Sequence, residues 1–233
     1  MRVYAIGDVH GRADLLERLL AAIEHDHANH PNTTRVMIFL GDLIDRGPGS
    51  RAVVEIVRQL MNGPQRIHLV KGNHEEILLK SLAGDAQAMR QFMRIGGRET
   101  LTSYGYSKEE LDAGSYGDLA ALVSERFPDE HRRLLQDAED SVVVGDYLFV
   151  HAGVRPERAL ADQTAQDMRW IRGEFLDFEG VLEKVVVHGH SISMEVQEYD
   201  HRIGIDTGAY ATGVLTALVL HGEERRFLQT EAT

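Results

Sequence analysis

The chain has 233 residues, 43% hydrophobic and 27% charged, a balance that excludes a disordered or fibrous protein. It has no cysteine, so disulfides, thiolate metal sites and cysteine nucleophiles are ruled out. A net charge of −12 disfavours nucleic acid and anionic membranes as partners, while 12 histidines make metal sites worth seeking.

Arg2 to Ile6 predicts a short strand that ends in Gly7-Asp8-Val9-His10-Gly11. No apolar leader precedes it, so a cytoplasmic protein without a signal peptide is expected. Leucines at 15, 16, 19 and 20 recur at helical spacing and predict an amphipathic helix from Ala13 to Ile23. The run from His25 to His30 reads as a solvated helix end before Pro31, not as a metal tract. Arg35 to Leu40 fits a buried strand stopping at Gly41-Asp42, and Ser50 to Met61 fits a helix broken by Asn62-Gly63-Pro64. Arg66 to Val70 predicts a third strand, ending in Lys71-Gly72-Asn73-His74-Glu75. This alternation is that of an α/β sheet. Residues 75–140 are helical in pattern and read as a cap inserted into a single domain of residues 1–233. Strands resume at Val142 to Val144, Tyr147 to Val150, Val185 to Val187, Val196 to Tyr199 and Val214 to Leu220. No apolar run is long enough to span a bilayer.

Polar residues cluster where these strands end, which is where α/β sheets build their sites. Asp8 and His10 are two apart in extended chain, so both point the same way and could share one metal. Asp42 has two oxygens and could bridge two metals. Asn73 offers an amide oxygen, and His151 and His190 offer imidazole nitrogens. A nitrogen and oxygen set without sulfur suits Mn²⁺, Fe or Zn²⁺ more than a closed structural zinc site. One Gly-Asp pair after a strand is more often a capped turn. Three such motifs at three strand ends point instead to a metal centre.

GDVHG at 7–11, GDLIDRG at 41–47 and GNHE at 72–75 resemble the signature motifs of the calcineurin-like metallophosphoesterases. More closely, they resemble the bacterial, lambda-phosphatase-like branch of the phosphoprotein phosphatase family, which is related to the diadenosine tetraphosphatases. HAG at 151–153 and GHS at 189–191 match that family's later ligand positions. The resemblance implies a layered αββα sandwich with a mostly helical cap. It implies a first metal held by Asp8, His10 and bridging Asp42, and a second held by Asp42, Asn73, His151 and His190. Two such ions, about 3.5–4 Å apart, would hold a hydroxide for direct attack on phosphorus, with manganese the expected ion and iron or zinc also suited. His74, with Asp45 as its carboxylate partner, would protonate the leaving oxygen. Arg46 matches the family arginine that grips phosphate. Trp170-Ile171-Arg172 resembles a tryptophan-x-arginine segment of the branch, which makes Arg172 a second phosphate clamp in place of a surface ion pair.

Three further residues are weaker candidates. His188 reads as structural, Asp206 as a turn cap or a site residue, and Arg98 as a substrate-mouth or solvated helix-end residue. The eukaryotic members carry a Ser-Ala-Pro-Asn-Tyr loop where this chain has Gly208-Ala209-Tyr210-Ala211-Thr212-Gly213, so no regulatory subunit is implied. The leading expectation is a Ser/Thr protein phosphatase acting on phosphorylated protein or small phosphoesters. The alternative is a bis(5'-nucleosyl)-tetraphosphatase. A catalytically dead scaffold would have lost ligands that are all present here, and the acidic charge weighs against a nuclease.

Overall fold

The computed structural model describes residues 1–231. Its first third alternates β1 (Arg2–Ile6), α1 (Ala13–Ala28), β2 (Arg35–Phe39), α2 (Ser50–Met61) and β3 (Arg66–Leu69). A helical segment follows: α3 (Asn73–Leu82), α4 (Ala86–Arg94), α5 (Gly97–Ser103), α6 (Lys108–Asp112), α7 (Tyr116–Arg126) and α8 (Asp129–Gln136). Then come β4 (Ser141–Val144), β5 (Tyr147–Val150), α9 (Ala165–Trp170), α10 (Gly173–Leu176) and β6 (Val185–His188). The chain ends with β7 (Gln197–Glu198), β8 (Arg202–Gly204), α11 (Ala209–Thr212), β9 (Thr216–His221) and β10 (Glu224–Gln229).

Two five-stranded mixed sheets result, ordered β10-β9-β1-β2-β3 and β4-β5-β6-β8-β7. The layering follows from the two-residue period of each strand. In β1, Tyr4 and Ile6 pack with Leu15, Leu16 and Leu19 of α1, while Val3 and Ala5 pack with Phe149 and Val187 of the other sheet. In that second sheet Leu148 and Val186 face outward onto Met168 and Phe175 of α9 and α10. Helix, sheet, sheet and helix therefore stack as the αββα sandwich. Each fully buried Leu, Ile or Phe contributes about 1.5–3 kcal/mol to this packing.

Some boundaries differ from expectation. Helix α1 continues to Ala28, so His25, Asp26 and His27 are helical. Asp26 is no solvated terminus: it takes hydrogen bonds from Arg2 Nε (2.9 Å), Tyr4 Oη (2.6 Å) and Arg226 Nη2. Burial alone would raise its pKa, but the bonds from Tyr4, Arg226 and Arg2 outweigh it and hold Asp26 at about 2. The expected strand at Val196 to Tyr199 shrinks to the two residues of β7, and β8 and β10 are additional. Among the described residues no helix is long and apolar enough to cross a membrane.

Candidate active site

The loops after β1, β2, β3, β5 and β6 bring Asp8, His10, Asp42, Asp45, Asn73, His74, His151 and His190 together, and all eight are buried. Among the described residues, those other than glycine with left-handed backbone are His10, Asp42, Asp45, Arg46 and His190, at φ of 45, 48, 72, 70 and 63°. Such conformations cost of order 1–3 kcal/mol each and persist only where surrounding structure enforces them. Glu75, which sequence reasoning quoted but gave no role, supplies that enforcement at Asp42. Its carboxylate accepts the backbone N–H groups of Asp42 (2.8 Å), Leu43 (2.8 Å) and Gly72 (2.9 Å).

Two groups of side chains could each hold a cation: His10, Asp42 and His74, and Asp42, His151 and His190. Asp42 is common to both. The imidazoles are oriented for ligation. A backbone carbonyl can only accept, so the 2.8 Å contact to Ile44 O places the proton of His10 on Nδ1. The 2.7 Å contact to Leu40 O does the same for His151. Both Nε2 atoms are left facing the cluster, at 3.6 and 3.4 Å from Asp42 oxygens, an arrangement common to metal-bound histidines. Asn73 Oδ1 lies 2.9 Å from His151 Nε2 and 2.9 Å from His190 Nδ1. His190 Nε2 is buried and finds no hydrogen-bond partner among the described residues. Burial lowers His10 to about 3 and His190 to about 2, so both are neutral, as a ligand must be.

Burial works against the Asp42 carboxylate, but the charges of His151 and His74 outweigh it and hold Asp42 well below the usual carboxylate range. The carboxylates around it are short of positive charge. Burial and the Asp206 charge push Asp8 well above the usual range, and burial with the Asp42 charge raises Glu75 to about 7. Burial opposes protonation of His151, yet the Asp42 carboxylate pulls it up to about 10. These residues fit divalent cations, which would supply the missing charge.

Asp8 is buried in the cluster, but neither group includes it. Its carboxylate accepts the His190 backbone N–H at 3.0 and 3.2 Å. A Cβ at Gly189 would sit 1.9 Å from Asp8 Oδ1, so only glycine fits between them. His74 enters the first group, yet its Nδ1 is engaged 2.6 Å from Asp45 Oδ2, and its Nε2 is 3.7 Å from Asp42 Oδ2. Burial disfavours the His74 imidazolium, but Asp42 and Asp45 outweigh it and raise its pKa.

Arg46 reaches this histidine, with Nη2 3.4 Å from Nε2, and its guanidinium lies 4.6 Å from the centroid of the Tyr210 ring. Its backbone N–H bonds Gly96 O at 3.1 Å, and Gly96 has a φ of 116° in an approach so close that a Cβ would meet Arg46 N at 2.6 Å. Arg172 is exposed, with Nη1 3.3 Å from Ser191 Oγ and 3.5 Å from His190 O, so it borders the cluster. Arg98 pairs with Asp112 at 2.5 Å. Both line a cavity of about 520 Å³ with Met93, Arg94, Leu111 and Tyr116, and no residue of the cluster lines it. Asp206 is buried, accepts the Gly208 N–H at 3.0 Å and is raised to about 6, chiefly by burial, so it both caps a turn and adds charge to the site. His188 is buried against Phe175 and bonds Gly189 O at 3.0 Å. Tyr210 was missed in the sequence: its ring packs edge-on to His10 with centroids 5.5 Å apart.

The sequence profile of the calcineurin-like phosphoesterases matches residues 1–199. The asymmetrical bis(5'-nucleosyl)-tetraphosphatase PrpE of Oceanobacillus iheyensis is 28% identical over 238 residues, covering 93% of this chain and 88% of its own. The symmetrical bis(5'-nucleosyl)-tetraphosphatase of Klebsiella pneumoniae is 44% identical over 170 residues, covering 72% of this chain and 49% of its own. Among solved structures, a candidate diadenosine tetraphosphatase aligns with a TM-score of 0.66 at 22% identity, covering 98% of this chain and 93% of that one. A protein serine/threonine phosphatase from Saccharomyces cerevisiae aligns with a TM-score of 0.57 at 16% identity, covering 100% and 80%. At such identities the structural likeness shows the fold alone.

Proposed function

The chain belongs to the calcineurin-like phosphoesterase family, and from this premise we propose that it hydrolyses dinucleoside polyphosphates as a bis(5'-nucleosyl)-tetraphosphatase. The observation that carries this reading is the near end-to-end match to a relative named for that activity. It reverses the order expected from sequence, in which the Ser/Thr protein phosphatase came first. That activity rests on the motif resemblance and on the fold likeness of a distant phosphatase.

In this reading Asp42 would be shared by two divalent cations, with His10 and Asp8 holding the first and Asn73, His151 and His190 the second. Manganese is the ion we favour. Such ions would supply Lewis acidity and lower the pKa of water. The rest of the chemistry belongs to side chains. Arg46 and Arg172 hold the phosphoryl oxygens as negative charge shifts onto them. A water oxygen bonds phosphorus while the bridging P–O bond breaks, and that bond's electron pair stays on the departing nucleotide. His74 Nε2 gives its proton to that departing oxygen, and the attacking water releases one proton to solvent. Asp45 keeps the imidazole protonated and aimed. The helical segment of about residues 75–140 acts as a cap on a single domain of residues 1–233.

The test sets diadenosine tetraphosphate against a phosphoserine peptide at equal enzyme with manganese added. Faster cleavage of the dinucleotide, to ATP and AMP, is expected. Faster phosphate release from the peptide would return the protein phosphatase to first place.

A further inference from the structure

Thr100 of α5 is fully buried, 55 residues from Asp45, and its hydroxyl is the point where the cap meets the catalytic carboxylate. Thr100 Oγ1 donates to Asp45 Oδ1 at 2.7 Å and accepts the Asp45 backbone N–H at 2.8 Å. Ser50 Oγ, at the head of α2, is 2.9 Å from Thr100 Oγ1 and 3.1 Å from the same Asp45 nitrogen. A carboxylate oxygen only accepts, so the Thr100 hydrogen points at Asp45 and the Ser50 hydroxyl donates to Thr100. The single donor and both lone pairs of Thr100 are then in use. The other Asp45 oxygen, Oδ2, is the one 2.6 Å from His74 Nδ1.

The terminal torsion of an aspartate is soft and roughly two-fold. A carboxylate bonded through one oxygen can swing, and one bonded through both cannot. The same cap segment also receives the Arg46 N–H at Gly96 O, so it grips two consecutive residues of the motif. Arg98, on the same helix, is turned to Asp112 instead.

We propose that Thr100 is a positioning residue for the hydrolysis: its hydroxyl locks the Asp45 carboxylate so that His74 keeps Nδ1 on Asp45 and Nε2 toward the leaving oxygen. The inference rests on the reading of His74 as proton donor. Its consequence is that helix α5 takes part in the chemistry through its hydrogen bond to the Asp45 carboxylate.

The test compares Thr100→Val, which keeps the shape and removes the hydroxyl, with Thr100→Ser, which restores it. Thr100→Ala, with room for a water, serves where Thr100→Val does not fold. His74→Asn is the reference. Each is assayed on aryl phosphates running from p-nitrophenyl to phenyl phosphate, because the poorer leaving group needs the proton more. His74→Asn should lower kcat on phenyl phosphate by about 10²–10⁴-fold and on p-nitrophenyl phosphate by less. Thr100→Val should show the same slope at smaller size, about 10- to 100-fold on phenyl phosphate, with KM and bound metal unchanged. Thr100→Ser should return to within a few-fold of the parent. An equal loss on every substrate, or no rescue by serine, overturns the positioning role while His74→Asn still shows its slope. A flat response in His74→Asn overturns the proton-donor reading, and the inference with it.

Discussion

Strand β1 has a cluster of charge at each end, and the two clusters are opposites. At its start, Asp26 is surrounded by Arg2, Tyr4 and Arg226, and both of its oxygens are bonded. Its pKa falls to about 2 although burial works against this. Past the other end, burial and neighbouring negative charge raise Asp8, Glu75 and Asp206, and burial lowers His10 and His190. Both clusters bear the cost of desolvation. One contains its own counter-charge throughout. The other contains it at Asp42, through His151 and His74, and leaves Asp8, Glu75 and Asp206 to be balanced by the cations of the proposed reading. A buried charge cluster completed by its own residues is a fastening, and one left incomplete is a binding site.

The contrast can be broken most sharply at Asp42. Asp42→Asn should abolish activity and weaken both metals, since an amide supplies one neutral donor where two anionic oxygens stood. Metal analysis decides: two full equivalents at unchanged affinity would remove the bridging role. Arg46→Ala and Arg172→Ala should each lower kcat/KM by about 10²-fold, the effect of losing one preorganised charged donor. Both should weaken inhibition by inorganic phosphate, and Arg46→Lys should rescue only partly because an ammonium lacks the planar fork. Parent values for Arg172→Ala would leave Arg172 as a surface residue. At the other cluster the signature reverses. Asp26→Asn should leave kcat and metal content alone but destabilise the fold by about 3 kcal/mol, because Arg2 stays buried without its partner. Chemical denaturation measures this. Lost turnover in a folded Asp26→Asn protein would join the two clusters functionally.

The smallest effect is in pH. A folded-state pKa of about 2 lies below the unfolded aspartate value, so the Asp26 contribution is complete above about pH 4 and disappears as pH falls through about 2. About 2 kcal/mol of stability should vanish across that window in the parent and be absent from the Asp26→Asn profile. Parallel profiles would show that Asp26 is not the titrating group.

The buried cluster past the strand ends was legible because its residues follow strands within glycine-flanked motifs, and the family resemblance picked out the set. Strands β8 and β10 were not. Three residues, Arg202 to Gly204, are too few to show a two-residue period, and Glu224 to Arg226 are charged because they lie at an edge. Asp26 read as solvated because its partners are 24 and 200 positions away. Thr100 and Tyr210 escaped for the same reason, since a hydroxyl or ring acquires a role only from what packs against it. Glu75 stood in plain view, but its task depends on how the Gly41 and Gly72 loops turn.

The site straddles the seam of the sandwich. Asp8, Asp42 and Asn73 follow strands of one sheet and His151 and His190 follow strands of the other, with His151 Nδ1 bonded across to Leu40 O. Asn73 and His190 are 117 positions apart. At about 5–20 residues per second, a growing chain that has made the first waits roughly 6–25 seconds for the second. Through that interval the nascent protein carries an incomplete set of the proposed ligands, with His151 made part-way and His190 last. In the proposed reading, an ion held by Asp42 together with His151 and His190 would tie one sheet to the other.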